Sequence, residues 1–127
     1  MFSSRDLKGL DAALAIALKQ VEPAARAVVS KGSLNIKTDA RQRAPHGPHT
    51  PYYAASITYD LYDRRDEISS QIGPDKNRKQ GALGNIFELG TPGHPPKPHL
   101  VPAADAEEPR FQEHVADLGV QLLKDYL

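Results

Sequence analysis

The sequence predicts an α+β domain, in the order long N-terminal amphipathic helix, small antiparallel sheet with a hairpin, proline-rich extended arm and C-terminal helix. Three observations carry that prediction. Apolar residues recur every three or four positions near both ends, which places them on one helical face. Between residues 57 and 72 the period drops to two, as in a half-buried strand. Two proline clusters, PHGPHTP and TPGHPPKPHLVP, separate these regions and admit neither helix nor central strand.

In the N-terminal region Leu7, Leu10, Leu14, Ala17, Val21, Ala24 and Val28 form the apolar stripe. Ser3 followed by Asp6 resembles a capping box with Asp in place of Glu, so the helix is expected to begin near Ser3 or Ser4. Pro23 falls inside the pattern, where it removes a backbone hydrogen bond, and a kink or short break is expected there. The stripe resumes through Val29, Gly32, Ile36 and Ala40, and Pro45 closes the helix near Ala44.

Ile57, Tyr59 and Leu61 alternate with Thr58 and Asp60, and Ile68, Ser70 and Ile72 repeat the alternation, with DRRD over residues 63–66 as the turn of a hairpin. Gly73-Pro74 ends the second strand, and the polar, basic run DKNRKQGALG reads as an exposed loop. Residues 85–89 are too few for periodicity to separate a third strand from a single helical turn, and the strand or turn is preferred. Residues 91–102 hold five prolines and are expected to run extended. Phe111, Val115, Leu118, Leu122 and Tyr126 then mark a C-terminal helix with Pro109 in its first turn.

The chain has 127 residues, enough for one domain over residues 1–127 with a modest core that burial against partner subunits would extend. Lys plus Arg and Asp plus Glu number 16 each, so no overall basic field draws it to nucleic acid. The absence of cysteine excludes disulfides and thiolate metal sites. No apolar run approaches the length of a membrane span, and the N-terminus carries charges unlike a signal peptide, so the chain is expected to be soluble and intracellular when made.

No GxSxG elbow, HExxH pair or GK[ST] phosphate cradle is present, so the sequence reads as non-enzymatic and without a cofactor. His46 with His49, and His94 with His99, form two pairs in the proline loops, but neither has the third ligand a metal site requires, and packing or solvated histidines are the simpler reading. Lys76, Arg78 and Lys79 cluster on one loop, which suits either a solvated loop or contact with phosphates or an acidic partner. Glu88 is the one carboxylate in the apolar run NIFELGT. It is either partly buried and paired with a cation of its own or a neighbouring chain, or exposed on one side of a strand.

Taken in order, KTDARQRAP, SITYDL, QIGPDK, IFELGT and PPKPHLVPA resemble the gene-product-ten-like head-tail joining (neck, or tail-completion) proteins of lambdoid siphophages, a likeness that spans residues 34–104. Members typically show an alanine-proline after the helix, a serine-isoleucine strand start, a glycine-proline strand end, a glutamate-aromatic-glycine-threonine block and a proline-rich stretch ending in proline-alanine. The chain departs from them after Ala44-Pro45, where residues 46–53 replace an aspartate, threonine, glycine turn, and at Leu89, which stands where an aromatic follows the glutamate.

The resemblance implies a structural virion protein that forms a ring in the neck or upper tail and joins head to tail, without catalysis. Its implied partners are further copies of itself, portal, adaptor or stopper proteins and the tail-tube protein. Assembly would take place in the host cytoplasm, the finished ring would surround the DNA channel, and neither a membrane nor a specific nucleic-acid sequence would be bound. The expected contact residues are Thr91, Pro92, His94, Pro95, Pro96, Lys97 and Pro98 on the arm, His46, His49 and Tyr52 on the first proline loop, and Lys76, Arg78 and Lys79 on the basic loop. Glu88 is a candidate inter-chain ion pair. Two alternatives compete: a small nucleic-acid-associated or regulatory module using the basic loop, and a metal-dependent hydrolase built on the histidines.

Overall fold

The structure, a computed structural model, describes residues 12–64 and 67–126, with side chains from residue 23 to residue 125. The expected helix start at Ser3 or Ser4 and the corner of the DRRD turn lie outside the described residues. The architecture is α+β. Helix α1 (Ala12–Arg43) is followed by one helical turn, α2 (Tyr53–Ser56), then strands β1 (Ile57–Asp63) and β2 (Ile68–Pro74). A 3-10 turn (Gly81–Leu83) leads into the short helix α3 (Gly84–Leu89), and helix α4 (Leu100–Tyr126) completes the order.

The two strands form an antiparallel sheet in which Ile57 faces Pro74 and Asp63 faces Ile68. Their alternation matches the sequence pattern. Ile57, Ile68, Ser70 and Ile72 are buried toward α1, whereas Asp60, Tyr62 and Gln71 are exposed on the other face. α1 runs antiparallel to β1: Arg26 pairs with Asp63 at one end (2.6 Å) and Arg41 donates to the Ile57 carbonyl at the other (2.7 Å). The Arg26 pair is half exposed and contributes little by itself. At the hairpin's closed end the Arg64 and Glu67 backbones bond to one another.

α4 lies antiparallel along α1. Phe111, Leu122, Ala25, Val29 and Ile68 form one apolar cluster, and Ala103, Ile36, Ala40, Tyr53, Ile57 and Ile72 form the other. Gly32 lets the helices approach, since a Cβ there would stand 3.0 Å from the Phe111 ring. Two polar contacts lie between the apolar ones, the first buried and the second partly buried. The hydroxyls of Ser33 and Ser70 meet at 2.5 Å, joining α1 to β2. Asn35 of α1 donates to the Glu107 carboxylate of α4 (3.0 Å), whose second oxygen lies 2.8 Å from Arg110 in an ion pair not aligned as a hydrogen bond.

Two expectations about the elements are narrowed and a third is corrected. α1 stays helical through Pro23, so of the kink or short break expected there the break does not form, and Pro23 itself is exposed. Of the strand and the helical turn left open for residues 85–89, the helical one forms. α4 begins at Leu100, so Pro109 lies inside it and Pro102 occupies its first turn, where a missing N–H costs nothing. The proline segment is accordingly confined to a tight turn over residues 91–94 and a stretch without regular secondary structure over residues 95–99. Among the described residues no helix is long and apolar enough to cross a membrane.

Phe111 is fully buried at the contact of α1, α4 and β2. Phe111→Ala is expected to destabilise the fold by about 3 to 5 kcal/mol, read as a lower denaturation midpoint in urea with an unchanged slope.

Candidate functional site

The two proline loops, the basic loop and the Glu88 run meet at one end of the molecule, where α1 finishes, β1 begins, β2 ends and α4 starts. Tyr53 is the centre of this pole. Its side chain is fully buried, its ring meets Phe87 edge-on at 4.8 Å and His99 at 5.3 Å, and its hydroxyl lies 2.6 Å from His99 Nε2. His99 Nδ1 faces two acceptors, the Lys97 carbonyl (2.9 Å) and Glu88 Oε1 (3.2 Å), so Nδ1 carries the proton and Nε2 accepts from Tyr53.

Glu88 supplies what the start of α4 lacks. A helix leaves its first N–H groups unpaired, and no Ser, Thr, Asp or Asn stands at residue 99 to cap them. Glu88 Oε1 accepts from the backbone N–H of His99 (3.0 Å) and Leu100 (2.9 Å), and Oε2 from that of Val101 (3.3 Å). Pro102 has no N–H, and Ala103 bonds back to the His99 carbonyl. The cap is complete, but it comes from another helix. Burial alone would raise the Glu88 pKa; the three N–H donors, aided by the neighbouring His99, outweigh it and hold the carboxyl below its ordinary 4.5. Glu88 is therefore occupied within its own chain, by backbone dipoles and a histidine.

Tyrosine, histidine and glutamate in a hydrogen-bonded series are residue types used to move protons. Here Tyr53 and His99 each expose 0% of their surface. The series is an anchor between α2, α3 and α4. Among the described residues no group of histidines and carboxylates is placed to hold a metal ion. His46 instead bonds the Arg41 carbonyl (2.9 Å), pairing one of the last carbonyls of α1, and His94 sits in the tight turn with Thr91.

The anchor presents three exposed loops. The arm leaves α3 through Gly90, whose φ of 77° places it in the left-handed region and where a Cβ would approach the Pro96 nitrogen to 2.8 Å. Thr91 and His94 bond one another around Pro92-Gly93, and the Lys97 N–H returns to the Phe87 carbonyl (2.6 Å). Thr91, Pro92, His94, Pro95, Pro96, Lys97 and Pro98 are all exposed on a loop tied at both ends. Gln80, left-handed at φ 63°, clasps the other two loops together: its Oε1 accepts from the Tyr52 N–H and its Nε2 donates to the His49 carbonyl, both at 2.8 Å.

Across that clasp Lys79 lies over the exposed Tyr52 ring, 4.7 Å from its centre. Arg78 bonds the Ala55 carbonyl (3.3 Å) and approaches Asp75 at 3.6 Å; Lys76 is exposed beside it. The sequence-selected residues His49, Tyr52 and Lys79 are thus brought together, with the arm on the same pole. Gln80 carried no sequence signal, since neither its left-handed backbone nor its two partners correspond to a motif. What the fold and the pole define is a small α+β fold with Tyr53 and His99 buried beneath an ordered, loop-built face. No protein-family model matches the chain, and neither does any curated protein or solved structure.

Glu88→Gln is expected to cost about 1 kcal/mol at neutral pH through the weakened cap. Because the folded pKa lies below the unfolded value, the stabilisation is present above about pH 4.5 and is lost as pH falls through the folded pKa. Urea midpoints measured at successive pH values should converge for wild type and variant at the acid end.

The Tyr53 phenol is pushed up to about 12 by burial, with the Glu88 charge adding to it. Its contribution is present below pH 10 and is lost as pH rises toward 12. Phenolate absorbance should show one tyrosine of the five ionising late, and that late component should be missing in Tyr53→Phe.

Proposed function

We propose that the chain is a structural subunit of the neck or upper tail of a tailed bacteriophage, one of several copies in a ring that joins head to tail. The observation that carries this reading is the ordered pole. Loops from three separated stretches of sequence are fixed side by side by Gln80, Gly90 and the Glu88 cap, over the fully buried side chains of Tyr53 and His99. A surface whose loops are already held loses less entropy on docking, which suits assembly.

The resemblance to head-tail joining proteins supports the same reading. Its blocks coincide with the parts that build the pole: Ala44-Pro45 ends α1, Ser56-Ile57 opens β1, Gly73-Pro74 ends β2, Glu88 is the cap and residues 95–103 enter α4. Pro74 also packs where a Cβ on Gly84 would stand, tying the strand end to α3. In the virion the partners would be further copies of the chain and the adjoining portal, adaptor, stopper or tail-tube proteins. The nucleic-acid reading draws less support, because Arg78 of its three cations is held by the Ala55 carbonyl and Asp75, and Lys plus Arg only equal Asp plus Glu over the chain.

The test is the mass of the purified chain by light scattering, alone and mixed with portal or tail-tube protein from the same genome. A ring-sized particle in either sample is expected, and monomer throughout would overturn the reading. Replacing Pro92, Pro95 and Pro96 by serine leaves Lys97 and His99 in place. It is expected to preserve the circular-dichroism spectrum while reducing the ring fraction.

A further inference from the structure

We infer that one copy docks its pole onto the outer face of α4 of a second copy, an interface that rests on the ring reading and gives it a geometry. Zero net charge conceals a separation of sign. α4 carries Asp105, Glu107, Glu108, Glu113, Asp117 and Asp125 against only Arg110 and Lys124, and Arg110 is committed to the buried Glu107. At the pole the balance reverses. Asp75 faces Arg78, Asp39 pairs with Arg43 and Glu88 is spent on its cap, which leaves Lys76, Lys79 and Lys97 there without an ion-pair partner among the described residues.

Each patch also has an apolar component. Leu89, beside the arm, is 74% exposed, the highest value among the large apolar residues described. On α4, Val120 and Leu123 are 53% and 49% exposed, one turn beyond the exposed Glu113 and Asp117. A basic patch with an apolar centre and an acidic patch with an apolar end are complementary in sign and in hydrophobicity. They lie on different faces, because the pole is built from loops at the start of α4, whereas Glu113 to Leu123 occupy its second half.

Contact between unlike patches is heterologous, so each copy offers one of each and the chain of contacts closes into a ring when the rotation permits. Exposed charges govern the rim of such a contact, and its strength therefore falls as salt rises. The apolar pair Leu89 with Val120 and Leu123 supplies the part that salt does not weaken.

The experiment uses two full-length double variants, K76E/K79E and E113K/D117K, with folding checked by circular dichroism. Each alone is expected to associate at least about tenfold more weakly than wild type in sedimentation, because like charges then face one another. An equimolar mixture is expected to recover assembly, since the acidic pole of the first meets the basic α4 of the second and the reverse pairing is the native one. Wild type that assembles while both variants also assemble, or a mixture that fails to recover, would overturn this interface and leave the ring reading standing. Wild type that stays monomeric with and without portal or tail-tube protein would overturn both.

Discussion

The Glu88 carboxylate decides how the second half of the chain is arranged, because the start of α4 cannot satisfy its own amides. Leu100 and Val101 need acceptors, His99 at the cap position has none to offer, and Glu88 reaches them from α3. Once that contact is required, the rest of the pole follows. α3 must end within side-chain reach of α4, the intervening arm must loop out and return, and Gly90 must turn in the left-handed region to let Pro96 pass. His99 is then carried into the interior, where Tyr53 is the donor that keeps its Nε2 from being buried unpaired.

Beneath the pole, α1 is the common surface on which sheet and α4 are registered. Apolar contacts alone tolerate sliding, since one methyl substitutes for another at similar volume. Buried polar pairs do not, because a shift of one residue leaves each partner dry and unbonded. Ser33 with Ser70 fixes α1 against β2, and Asn35 with Glu107 fixes α1 against α4. The placement of Glu88 beneath residues 99–101 depends on that register, so the buried carboxylate of Glu107 and the capping carboxylate of Glu88 constrain the same helix at successive turns.

The parts of this fold that were legible in the sequence are those whose period is uninterrupted. The hairpin was visible because Ile57, Tyr59 and Leu61 and their partners Ile68, Ser70 and Ile72 alternate without a break. The first half of α4 was not, because its inward positions after Ala103 run through Glu107 before reaching Phe111, Pro102 read as part of the extended arm and Pro109 read as the first turn of the helix. Pro102 is harmless in a first turn, and Pro109 is exposed, so its lost hydrogen bond falls where water can compensate. α3 was beyond periodicity at six residues. Glu88 stood out as a lone carboxylate in an apolar run, but the expected partner was a cation; three aligned backbone amides provide the same electrostatic relief and leave no trace in sequence. Gln80 and His46 act through backbone groups as well, which is why neither role had a pattern to find.

Under the proposed reading, the internal ties of the loops matter as much as their composition. Flexible loops of the same sequence would offer the same prolines, lysines and tyrosine, and each docking event would then have to order them. Here Gln80 holds Tyr52 and His49, Lys97 is fastened to Phe87, and His99 is locked beneath the arm, so the ordering cost is met during folding. A ring repeats one contact around its circumference, so any saving per contact recurs at every subunit. Loss of the Glu88 cap would therefore act twice, lowering the stability of the single chain modestly and that of the assembly by a multiple of the same amount.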